Sequence, residues 1–126
     1  MTHTLVYDSE VHILTIKIEG EFRLKEAEEI FSEAAKIILA ENCFLLLTDL
    51  REATMKLSVI EIYDLPKILL NRLAASEINV YKLKRAYVIA KGSQGYTFHE
   101  TVMHNQGQKI KGFEDVDEAR QWLLKE

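Results

Sequence analysis

Asp49, Arg51, Thr54 and Ser58 follow the apolar run Cys43 to Leu47 within a few residues of one another. With Lys91, they are the residues of this chain best placed for chemistry or recognition. A short apolar run ending in Thr48-Asp49 suits a central parallel strand, and open α/β sheets bind their ligands outside the carboxyl ends of such strands. Asp49 at that place has several uses. It can orient a ligand, accept a hydrogen bond from Ser58 or Thr54, pair with Arg51, or fix its own turn by bonding backbone N–H groups. The last is the commonest use of Asp after a strand and is the favoured reading. Arg51 and Lys91, together with the Gly92–Gly95 loop, offer a small anion site of cations and exposed amides. That loop carries no phosphate-binding glycine fingerprint, so a solvated connection is the simpler reading.

Other chemistry finds little footing. His99 and His104 are five residues apart, so a helix would not place them on the one face that paired metal ligands need. His3 and His12 add no metal spacing, and no metal site is expected. Cys43 reads as an unreactive core thiol, and a single cysteine allows no internal disulfide. No serine, histidine and acid stand in a recognisable catalytic context, so the chain is not read as an enzyme and no cofactor is expected.

Composition narrows the partners. A chain of 126 residues with a formal charge of −4 fits one soluble domain and disfavours nucleic acid, which rewards concentrated positive charge. The basic clusters Lys82-Leu83-Lys84-Arg85 and Lys109-Ile110-Lys111 are short and read as solvated strand faces. No apolar run approaches the ~20 residues of a membrane span. The start, Met-Thr-His-Thr, lacks the basic flank and apolar block of a secretory signal, and the cytoplasm is the expected compartment.

The elements that would position these residues follow from periodicity. His3 to Tyr7 and the alternating Val11 to Glu19 predict an antiparallel hairpin ended by Gly20, with Leu14, Ile16 and Ile18 on one face. Leu24, Ala27, Phe31, Ala34 and Ile38 recur at helical spacing up to a stop at Asn42. The buried strand Cys43 to Thr48 follows. Ser58 with Glu61 has capping-box spacing, and Pro66 predicts a kink or a second helix running to about Ala75. Tyr81 to Ala90 alternates as a strand, with Tyr81, Leu83, Arg85, Tyr87 and Ile89 on one side. Tyr96 to Met103 suggests a helix, Lys109 to Phe113 a strand, and Asp115 caps a last helix with Val116, Ala119, Trp122 and Leu123 inward. Strands alternating with helices after a hairpin give an α/β (α+β layered) domain. It holds a mixed, mostly parallel sheet of about five strands flanked by about four helices.

The Leu45-Leu46-Leu47-Thr48-Asp49-Leu50-Arg51-Glu52-Ala53-Thr54 strand and turn, the hairpin with Gly20 and the Ser58 to Pro66 region accompany a closing Phe113-Glu114-Asp115, Ala119 and Trp122-Leu123. Together they resemble the STAS/SEC14-like, or SpoIIAA-like, family over nearly the whole chain. The resemblance implies a small bacterial cytoplasmic domain, often dimeric. In anti-sigma factor antagonists of this family, an Asp precedes a phosphorylatable Ser or Thr in an Asp-Ser-Ser/Thr-Gly turn. Here Asp49 matches, but Leu50-Arg51-Glu52-Ala53 follows, and Thr54 and Ser58 are the nearest hydroxyls. The leading expectation is a non-enzymatic interaction or regulatory module, homodimeric and bound to a further protein. The alternative, implied by lipid-transfer relatives of the fold, is a binder of a small apolar ligand or lipid beneath the Ser58–Ala75 helix region, lined by Ile60, Leu65 and Leu69.

Overall fold

The computed structural model describes residues 2–90 and 107–125. Apolar alternation builds β1 (Thr2–Asp8) and β2 (Ile13–Phe22), joined by a turn in which His12 takes a left-handed φ of 56°. Helix α1 (Leu24–Glu41) follows and ends at Asn42, whose φ of 51° satisfies the left-handed cap. Next come β3 (Leu45–Met55), α2 (Val59–Ala75), a single 3₁₀ turn over Val80–Lys82, and β4 (Lys84–Val88). Strand β5 (Lys109–Phe113) and helix α3 (Val116–Leu124) close the described chain.

The five strands lie in the order β1-β2-β3-β4-β5. β1 is antiparallel to β2, and the remaining pairs are parallel. Crossovers that all step the same way, each right-handed, must lie on one face of the sheet. Accordingly α1 and α2 share a face with Leu14, Ile16, Ile18, Leu46 and Leu50. Helix α3 covers the opposite face, where Ala119 and Leu123 pack on Ile13, Leu47, Ala86 and Val88. The predicted alternation therefore holds: neighbouring β2 residues Ile13 and Leu14, both fully buried, belong to different cores. Each such side chain contributes about 2 kcal/mol of burial.

Several boundaries differ from the sequence expectation. Gly20 does not end β2; its φ of 89° lets the strand run on to Phe22. Strand β3 begins at Leu45 rather than Cys43 and continues past Thr48 to Met55, so the polar segment Asp49 to Thr54 is strand, not turn. Of the two expectations at Pro66, the second helix is absent: α2 is one helix from Val59 to Ala75. Leu65, Leu69 and Leu73, all buried, hold it to the sheet on both sides of the missing N–H. Tyr81 and Lys82 belong to the 3₁₀ turn, and β4 starts only at Lys84. The helix expected over Tyr96 to Met103 lies outside the described residues.

Candidate functional site

Strand β3 changes register halfway along. Lys17 of β2 lies opposite Asp49, and the next aligned pair is Glu19 with Glu52, so three steps of β3 match two of β2. One extra residue is a β-bulge. Its effect is visible in the side chains: Leu50 and Ala53, three apart, both turn to the α1/α2 core. Asp49 is left on the opposite side of the strand, 8 % exposed, and Arg51 stands out into solvent.

Asp49 and Arg51 clasp each other at this bulge. Arg51 donates from Nε to Oδ1 at 3.0 Å and from Nη2 to Oδ2 at 2.8 Å, and its backbone N–H donates to Oδ1 at 3.2 Å. The side-chain bonds from Arg51 hold the Asp49 carboxyl below its usual value against the opposing effect of burial, and Lys17 adds a smaller pull. The same carboxylate holds the Arg51 guanidinium above its usual value. Of the uses open to Asp49 in the sequence, pairing with Arg51 and bonding a backbone N–H are both realised, in a bulged strand rather than a turn. Lys17 bridges Glu19 and Glu52, each at 3.9 Å, which extends the charged surface across β2 and β3.

The other predicted residues are placed differently. Thr54 is exposed near the end of β3. Ser58 caps α2: its Oγ accepts from the Glu61 N–H at 3.2 Å, while the Ser58 N–H donates to the Glu61 carboxylate at 2.9 Å. The predicted capping box is thus present, and the hydroxyl oxygen is engaged with the helix. Lys91 and the Gly92–Gly95 loop lie outside the described residues, and so do His99 and His104. Among the described residues, no group of three or more His, Cys, Asp or Glu is arranged to hold a metal ion. His3 Nε2 instead lies 2.8 Å from Glu33 of α1, and His12 Nδ1 lies 2.6 Å from the Tyr7 hydroxyl. Cys43 is fully buried, its Sγ–H directed at the His12 carbonyl, and burial pushes the thiol up and away from reactivity.

The sheet order and the two unequal helix layers admit direct comparison with solved structures. The anti-sigma factor antagonist SpoIIAA in its unphosphorylated form superposes with a TM-score of 0.59 at 11% identity, covering 97% of each chain. The fold is SpoIIAA-like. A DUF3478-family protein from Shewanella loihica PV-4, itself described as SpoIIAA-like, gives a TM-score of 0.62 at 17% identity over 97% of this chain and 92% of that one. An anti-sigma factor antagonist from Mycobacterium paratuberculosis gives 0.58 at 14% identity over 98% and 96%. No protein-family model and no curated protein sequence matches the chain.

Within this SpoIIAA-like frame, sequence reasoning missed a buried polar pair. Arg85 of β4 is 3 % exposed and donates from Nη2 to Oε1 of Gln108, itself 2 % exposed. Arg85 Nε and Gln108 Nε2 find no acceptor. Burial lowers the Arg85 pKa, and the Tyr87 side chain opposes that effect. The alternation of Leu83, Arg85 and Tyr87 already put Arg85 on one strand face; nothing in the sequence said that face was the buried one. Lys84, on the other face, donates to the carbonyls of Trp122 and Lys125 and so caps the end of α3.

Proposed function

We propose that this protein is a non-catalytic regulatory module that binds a protein partner through the exposed side of β3 and the start of α2, acting as a homodimer in the cytoplasm. The observation that carries this reading is the Asp49–Arg51 clasp. A bulge whose bidentate ion pair holds one arginine at the surface, next in sequence to Glu52 and its partner Lys17, presents a fixed polar patch suited to a complementary surface, with Thr54 and the capped Ser58 further along the chain. The SpoIIAA-like fold supports it, since two of the solved structures it resembles are anti-sigma factor antagonists. No cofactor or metal enters this reading, and neither does nucleic acid. Among the described residues no helix is long and apolar enough to cross a membrane.

Control by phosphorylation at Ser58 has little physical support. A phosphate there would gain from the helix amino terminus, but would displace the capping hydroxyl and face the Glu61 carboxylate that bonds the Ser58 N–H. The apolar-ligand reading is also the weaker one. Leu65 and Leu69 are packed into the α1/α2 core, and Ile60, expected beside them, is 74 % exposed on the outside of α2.

Partner capture from cell lysate tests the main reading. The tagged wild type should retain a specific protein that Asp49→Ala, Arg51→Ala and Ser58→Ala together release. Equal capture by wild type and triple variant would remove this surface from consideration.

A further inference from the structure

Among the described residues, strands β1 and β5 are the outermost of the sheet, and they are built differently. Edge strands expose unpaired backbone N–H and C=O groups, and lysines are a common means of blocking further pairing. β5 carries exposed Lys109 and Lys111. Antiparallel self-pairings of β5 that keep the sheet faces aligned and are centred on Lys111 or Ile110, the two that pair most of the strand, put Lys111 against Lys111 or Lys109 against Lys111, and both oppose like charges. β1 reads Thr-His-Thr-Leu-Val-Tyr-Asp, with no Lys, Arg, Gly or Pro, and pairs with β2 over all seven residues without a bulge. On it, Thr2, Thr4 and Val6 are exposed, Val6 by 62 %.

We infer that β1 is the homodimer seam, pairing antiparallel with β1 of a second copy about a two-fold axis at Leu5. This deepens the homodimer reading above and rests on it. An antiparallel pairing keeps both sheets facing the same way only if odd residues oppose odd and even oppose even. Centring on Leu5 satisfies that rule and uses all seven residues. Leu5 then meets Leu5, His3 meets Tyr7, Thr4 meets Val6 and Thr2 meets Asp8 of the second copy. Asp8 is the only acid in the strand, and the two copies of it lie at opposite ends of the seam, so no like charges oppose. Apolar, β-branched and aromatic cross-strand pairs fill the rest. The contact is isologous and closes as a dimer, whereas joining β1 to β5 of another copy would propagate head to tail. The Asp49–Arg51 surface lies two strands away and stays open to a different partner.

Sedimentation velocity separates the possibilities. Thr4→Lys/Val6→Lys changes two exposed side chains and puts lysine against lysine twice across the seam. The wild type should be a dimer with Kd below about 100 μM. The lysine variant should dissociate at least about tenfold more readily, an effect that weakens in high salt. Mixing it with Thr4→Glu/Val6→Glu should restore a heterodimer. A dimeric wild type with an equally dimeric lysine variant would overturn the β1 seam and leave the homodimer reading standing. A monomeric wild type would overturn both. Should the lysines impair folding, Thr4→Cys/Val6→Cys decides the matter. In this register residue 4 faces residue 6 across the seam, within disulfide reach, so oxidation should yield a covalent dimer; failure to cross-link in a folded dimer would exclude the seam.

Discussion

Arg51 grips Asp49 from two residues further along the same strand, with 3.0 Å and 2.8 Å bonds to the two carboxylate oxygens. In a regular strand residues two apart point the same way at full extension. Here the pair lies where β3 carries one extra residue against β2, and the Arg51 guanidinium and backbone N–H both reach the Asp49 carboxylate. The clasp therefore fixes the bulge, and the bulge fixes the exposed patch.

Asp49→Asn should lower stability by about 1–2 kcal/mol at neutral pH, since hydrogen bonds to a charged group are lost while solvent already screens the half-exposed Arg51. The folded-state pKa of Asp49 is depressed, so its contribution is present above the unfolded pKa of ~3.9 and is lost as pH falls through the lower folded value. The gap between wild type and variant should thus be constant from neutral pH down to about pH 5 and close below it. Urea denaturation across pH 2–7 measures this.

Ser58→Ala should cost about 1 kcal/mol by removing the cap of α2, while Ser58→Asp, which caps equally well, should melt close to wild type. Thermal denaturation followed by circular dichroism distinguishes the two variants.

Gln108→Leu should be costly and Arg85→Met/Gln108→Leu less so. The single change strips an acceptor from a buried guanidinium, at roughly 1–3 kcal/mol, whereas the double change replaces the polar pair with apolar volume. A double-mutant cycle in urea gives the coupling; additive losses would contradict the pairing.

Pro66→Ala should raise stability by about 1–3 kcal/mol, because it restores an N–H inside a helix that is already continuous from Val59 to Ala75. A raised urea midpoint with an unchanged slope is the expected result.

The pattern of element types was legible because it depends on period alone. Ile13 and Leu14 separate into two cores as alternation requires, Asn42 stops α1, and Ser58 and Asp115 begin helices through bonds to their own next turns. Where an element ends depends on its neighbours. β3 outlasts its apolar run because β2 offers partners as far as Phe22 opposite Met55, and α2 survives Pro66 because leucines on both sides are buried on the sheet.

The candidate site divides the same way. Sequence alone singled out Asp49, Arg51, Thr54 and Ser58 and determined the local contact of Ser58 with Glu61, but it put the first three in a turn after the central strand, whereas they lie within β3. It left Asp49 with several partners, because the choice among them is made by a bulge, and a bulge exists only relative to the strand beside it. Arg85 and Gln108, 23 residues apart, meet only because β4 and β5 pair in register. Short-range chemistry is written in neighbouring residues; burial, register and the identity of an edge strand belong to the assembled sheet.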